Sequence, residues 1–114
     1  RGKIMATLQI VDNFVNTLAD TIQTAYTAPV TKGAVIESFT ASNNSGVNAS
    51  YKAYIVTDGG TEKAQRPFKI IVWGEIDLGI GLVNQIIPAG ASLKVESSAT
   101  NSIYFTVTGR EVSL

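Results

Sequence analysis

Clusters of Gly, Pro, Asn, Asp and Ser interrupt this 114-residue chain about every ten residues, and that spacing leaves room for short strands but not for long helices. The clusters are Ala28-Pro29-Val30-Thr31-Lys32-Gly33, Asn43-Asn44-Ser45-Gly46, Asp58-Gly59-Gly60, the glycine-laden run from Gly74 to Gly81, Pro88-Ala89-Gly90 and Ala99-Thr100-Asn101. Pro fixes one backbone angle, while Gly and Asn tolerate positive φ, so each cluster can reverse the chain. Between them the residues are β-branched: Val, Ile and Thr supply 11, 12 and 12 of the chain. Such side chains lose rotamer freedom in a helix and pack well on a pleated sheet.

Alternation along the strands assigns the faces. In 33–42, Val35, Glu37, Phe39 and Ala41 are expected on one face, with Ala34, Ile36, Ser38 and Thr40 on the other. In 49–57, Tyr51, Ala53 and Ile55 oppose Lys52, Tyr54 and Val56. A polar loop is expected from Asp58 to Arg66, then an apolar strand from Pro67 to Trp73 with Trp73 in the core. Gly74 to Gly81 reads as an irregularly paired bend, followed by a strand over Leu82 to Ile87. In 92–97, Leu93 and Val95 oppose Lys94 and Glu96. In 102–112, Ile103, Phe105 and Val107 oppose Tyr104, Thr106 and Thr108.

The first quarter of the chain is ambiguous. Val11, Phe14, Val15, Leu18, Ile22 and Tyr26 recur at helical spacing, yet the segment is rich in Thr and Asn, which are poor helix formers. A strand over 20–27 is expected, with a helical turn allowed before it. Residues 1–16 read as an extended arm with a short strand over 6–10, and 17–114 as one domain. Met5 is a candidate natural start, with the four residues before it a remnant. Together these segments predict an all-β fold: a β-sandwich or jelly roll of seven to eight short antiparallel strands with an N-terminal arm.

Composition narrows the chemistry. The chain has no Cys and no His, which removes disulfides, the commonest metal ligands and the commonest general base. Nine basic residues balance nine acidic ones, so the basic excess of a nucleic-acid binder is missing. No run is apolar enough for a membrane span, and the start lacks the apolar core of a signal peptide. A protein near zero net charge is not held apart from its copies by repulsion.

Few side-chain constellations suggest a site. Ser92 and Lys94 form a Ser–Lys pair on one strand, which reads as structural rather than hydrolytic. Glu75 and Asp77 flank Ile76 and suit either a cation or proton transfer, or simply two solvated charges beside a bend. The glycines at 74, 79 and 81 lack the Lys-Ser/Thr of a phosphate loop. Two glycosylation sequons, at Asn43 and Asn48, fall in a polar turn. Trp73 with Tyr51 or Tyr54 forms a conceivable stacking platform, but the two tyrosines alternate, so at most one is expected to be buried with the sheet interior. The other is an interface anchor.

The run Thr24-Ala25-Tyr26-Thr27-Ala28-Pro29, then Gly33-Ala34-Val35-Ile36-Glu37-Ser38-Phe39 and Ala41-Ser42-Asn43-Asn44-Ser45-Gly46, resembles a module of small tailed-phage virion proteins. Ile86-Ile87-Pro88-Ala89-Gly90-Ala91-Ser92-Leu93-Lys94-Val95 is similar to the module's turn, and 100–112 to its last strand. The resemblance covers 18 to 113 and departs from the module at Gly74 to Gly81. It implies a non-enzymatic virion protein made in a bacterial host, without cofactor. Such a protein decorates and stabilises a capsid at capsomer junctions. The implied partners are copies of itself, as a trimer, and a major capsid protein or another virion protein, with no nucleic acid and no membrane. A tail- or fibre-associated carbohydrate-binding sandwich is the alternative. The expected interface residues are Phe14, Tyr54, Glu75 and Asp77, with docking through 58–66, 74–81 or the arm.

Overall fold

Strands that are apolar on one face can leave water by packing sheet on sheet. The computed structural model shows this arrangement for residues 8–60, 62 and 64–113. Among these residues lie β1 (Leu8–Val15), β2 (Gln23–Thr27), β3 (Lys32–Asn43), β4 (Ala49–Val56), β5 (Ala64–Ile71), β6 (Ile76–Asp77), β7 (Ile86–Ile87), β8 (Ser92–Ser97) and β9 (Ile103–Ser113). One sheet has the order β1-β9-β3-β6, with β7 also on β3, and the other the order β2-β8-β4-β5. Every pairing is antiparallel. With β6 and β7 as two pieces of one edge strand, the chain changes sheets at each connection except β4–β5. That is the jelly-roll β-sandwich.

The core lies between the sheets. Phe39, Tyr51 and Phe105 form an aromatic cluster, with Phe39 and Tyr51 stacked at 5.9 Å and Tyr51 edge-on to Phe105 at 5.5 Å. Ile36, Leu82, Ile87, Leu93, Val95, Ile103 and Val107 complete it, all fully buried. Each such side chain contributes roughly 1.5–3 kcal/mol relative to exposure.

The faces of β4, β8 and β9 follow the expected alternation. Those of β3 do not. Ala34 and Ile36 are buried, but so are Phe39, Ala41 and Asn43. The cause is a bulge: Ile36 pairs with Gly109 and Ser38 with Thr108, so Glu37 is an extra residue and the alternation changes phase there. Arg110 Nε holds the Glu37 carboxylate at 2.5 Å. Opposite the bulge, Gly109 is required by space, since a Cβ there would lie 2.2 Å from the Val35 carbonyl oxygen.

Several boundaries also differ. β5 begins at Ala64, inside the expected polar loop, and ends at Ile71, so Val72 and Trp73 fall beyond the strand. Trp73, expected in the core, is 59% exposed because it sits on the turn into β6. Only Ile86–Ile87 of the expected 82–87 strand pairs, because 80–84 turns through Asn84 at φ 71°. β2 starts at Gln23, and a turn through Asp20 at φ 54° precedes it in place of a helical one. Residues 8–15 of the expected arm are hydrogen-bonded to β9. Residues 1–7, Met5 among them, and positions 61 and 63 of the expected 58–66 loop lie outside the described residues.

The connections 16–22, 44–48, 72–75 and 98–102 gather at one end. Asn101 N–H donates to Asn16 O (2.9 Å), Asn44 N–H to Ser102 O (3.0 Å) and Gly74 N–H to Asn43 O (3.0 Å). Asn43 ties this end together: its amide nitrogen donates to Ile71 O (2.8 Å) and Val47 O (2.9 Å), and its oxygen accepts from Ser45 N–H (3.0 Å). A buried amide so engaged is not open to a glycosyl transferase, so the sequon at Asn43 is a structural coincidence.

Candidate docking surface

The two sheets have neighbouring edges at β5 and β6, and a buried carboxylate joins them. Asp77 pairs with Ala41 and points inward. It accepts a hydrogen bond from Tyr51 Oη on β4 and one from the Gly79 N–H (3.1 Å), and Lys69 Nζ on β5 lies 3.6 Å away. The expectation of two solvated charges beside a bend therefore fails for Asp77, while Glu75 is exposed. The reason is alternation: Glu75 lies before β6, and the inward register of Ala41 carries Asp77 into the core edge.

Because Asp77 and Lys69 turn toward each other, their strand neighbours turn outward. On β5, Phe68 and Ile70 stand on the outer face of their sheet, and Val72 and Trp73 continue the exposed apolar run into the turn. Lys52 Nζ lies over the Phe68 ring, 5.7 Å from its centre. Beside them is a cleft of about 240 Å³ lined by Asn48, Ala49, Ser50, Phe68, Ile70 and Ser98. Ile76 and Ile86, paired with Ser42 and Val35, stand on the outer face of the other sheet. Leu78 and Ile80, in the connection that runs along β3, are exposed as well, Ile80 by 81%. The connection is held to β3 by Asn84 N–H to Ile36 O (2.7 Å) and Ile36 N–H to Gln85 O (3.0 Å). The result is an apolar band that wraps one edge of the sandwich. Contiguous apolar surface of this kind marks a site of contact with another molecule.

Of the four expected interface residues, Glu75 stands exposed beside this band. Asp77 is buried beneath it. Phe14, on β1 at the other edge of its sheet, packs against the core. Tyr54 is buried although it faces away from the sheet interior, because its ring lies along β8 and its hydroxyl donates to Glu96 at 2.8 Å. Tyr51 alone of the two lies in the sheet interior, as expected, while Tyr54 on the opposite face is covered rather than exposed. The sequence signal for the band was the alternation of Ile76, Leu78 and Ile80 with Asp77 and Gly79, which the surrounding glycines disguised as a bend. Among the described residues, no group of three or more His, Cys, Asp or Glu is placed to hold a metal ion.

Two tyrosines make the fold sensitive to alkali. Burial and the bond to Glu96 push Tyr54 up to about 12, and burial and the 2.5 Å bond to Glu111 push Tyr26 higher still. The folded state thus favours the protonated phenols. Their stabilisation is complete below the ordinary tyrosine value near 10 and is lost as pH rises toward the folded values. Urea midpoints are expected to fall above pH 10, and the fall should be shallower in Tyr26→Phe with Tyr54→Phe. An identical decline in that variant would assign the effect elsewhere.

No protein-family model matches the chain, and no curated protein sequence does. Solved structures do. The sandwich topology has similar chains among the solved structures of virus particles. A chain of the T13 particle of infectious bursal disease virus aligns with 100% of this chain at a TM-score of 0.56 and 14% identity. A chain of that virus's VP2 subviral particle aligns with 99% of it at 0.46 and 11% identity. At such identity the likeness concerns the fold alone. This chain spans 31% of the T13-particle chain, about a third of its length. The similar particles come from infectious bursal disease virus, whereas the sequence resemblance pointed to tailed phages.

Proposed function

We propose that the protein is a non-enzymatic structural module of a virus particle, which works by packing against copies of itself on the outside of the shell. The observation that carries this reading is the apolar band around the β5–β6 edge. Two facts support it: the jelly-roll fold is like that of a segment of the T13 particle chain, and the net charge is zero. Stabilisation of subunit junctions, as a decoration protein or as one module of a larger shell protein, is the role we assign. A trimer is the expected assembly.

Light scattering coupled to size exclusion tests it. A multimer at tens of micromolar is expected, and a single 12.1 kDa species would overturn the reading. A second reading, carbohydrate binding, is favoured by the exposed ring of Phe68, which lines the cleft, and by the exposed ring of Trp73. A glycan array separates the two, since a structural module shows no sugar preference.

A further inference from the structure

We infer that copies of this chain join head to tail, the β5 side of the apolar band on one copy packing against the β6–β7 side of the next. This rests on the self-assembly proposed above and specifies its geometry. The band has two parts that face different ways. Phe68 and Ile70 lie on the outer face of the β2-β8-β4-β5 sheet, while Ile76 and Ile86 lie on the outer face of the other sheet. One planar contact does not cover both parts.

Exposure and charge select the arrangement. Both parts carry large exposed apolar side chains, Phe68 at 57% and Ile70 at 63% on one side and Ile76 at 61% and Ile80 at 81% on the other, so a contact that covers one part alone leaves apolar surface in water. In a ring of head-to-tail contacts every copy covers both parts. A two-fold contact through either part leaves the other in water. The flanking charges agree. Lys52 stands at the β5 side, against Phe68, and Glu75 precedes Ile76 at the β6 side. Like-with-like packing sets Lys52 against Lys52 or Glu75 against Glu75, whereas head-to-tail packing sets Lys52 near Glu75, the complementary pairing. A head-to-tail contact closes into a ring when its rotation permits.

Two variants test this: Phe68→Asp with Ile70→Asp, and Ile76→Asp with Ile80→Asp. All four positions are exposed, so far-ultraviolet circular dichroism should match the parent protein. Each variant alone is expected to run as a single chain. An equimolar mixture should give a two-chain species, because each variant keeps the half that the other lacks. A variant that still assembles alone, or a mixture that stays single-chain, overturns head-to-tail packing while leaving self-assembly intact. A parent protein that is itself monomeric overturns the self-assembly reading instead. Lys52→Glu and Glu75→Lys probe the same contact without touching the apolar surface. Each alone should weaken assembly about tenfold, and the two in one chain should restore it. Failure of the double exchange to restore assembly counts against the pairing.

Discussion

Asp77→Ala is expected to lower the stability of the protein by about 3–5 kcal/mol, the cost of breaking a buried charged network by removing one partner. The carboxylate receives Tyr51 Oη and the Gly79 N–H, and Lys69 Nζ is close by. Alanine offers none of these an acceptor. The Tyr51 hydroxyl lies in a fully buried ring, so it loses its bond to Asp77 without gaining water. For a domain of this size the melting temperature should fall by roughly 15 °C. Tyr51→Phe removes one donor and should cost less, about 1–2 kcal/mol. Urea unfolding of the three proteins decides it. A loss below about 1 kcal/mol for Asp77→Ala would show that the network is not what joins the two edges.

Gly79→Ala should destabilise by about 2–4 kcal/mol, from two separate causes. Gly79 has φ +57°, where a side chain is strained, and a Cβ there would lie 2.3 Å from Cδ1 of the Phe39 ring. The second cause is removable. Phe39→Leu takes away the ring edge, so the two changes together should cost less than their sum, by about 1 kcal/mol or more. Strict additivity would mean that the backbone angle alone accounts for the loss. Asp77 and Gly79 thus bind the exposed edge to the aromatic cluster, and damage to that cluster should loosen the docking surface as well.

The strands that alternate cleanly were legible in the sequence. Leu93 and Val95 on β8, and Ile103, Phe105 and Val107 on β9, face the core as the pattern says. Period-2 reasoning fails where one residue is inserted or where a strand stops. Nothing in the sequence marks Glu37 as an extra residue, because its significance lies in Gly109 across the sheet, 72 positions away in the chain, by the numbering 109 − 37. Trp73 was assigned to the core by continuing β5 two residues too far. Its exposure follows from the hydrogen bond that Asn43 makes to Ile71 O, where the strand ends. The docking surface was half legible. The segment 74–81 reads as a loop at the end of the sandwich, free to vary and so suited to docking, but Asp77 within it is a buried anchor. Tyr54 satisfies its hydroxyl within its own sheet. Long-range partners decide such cases, and a local pattern does not carry them.

The bulge at Glu37 also governs how this chain can change length over evolutionary time. Loss of that one residue would leave an unbroken alternation along β3 in which Ile36, Phe39, Ala41 and Asn43 still face inward, whereas loss of Thr40 would turn Ala41 and Asn43 outward. The aromatic cluster, the inward register of Asp77 opposite Ala41 and the clamp made by Asn43 all depend on that phase. Gaps should therefore be tolerated in 44–48, at a chain reversal. At position 37 a single-codon deletion should be tolerated as well, since it removes one half-exposed glutamate and keeps the phase of the core set, whereas the same deletion at position 40 should act as a null allele.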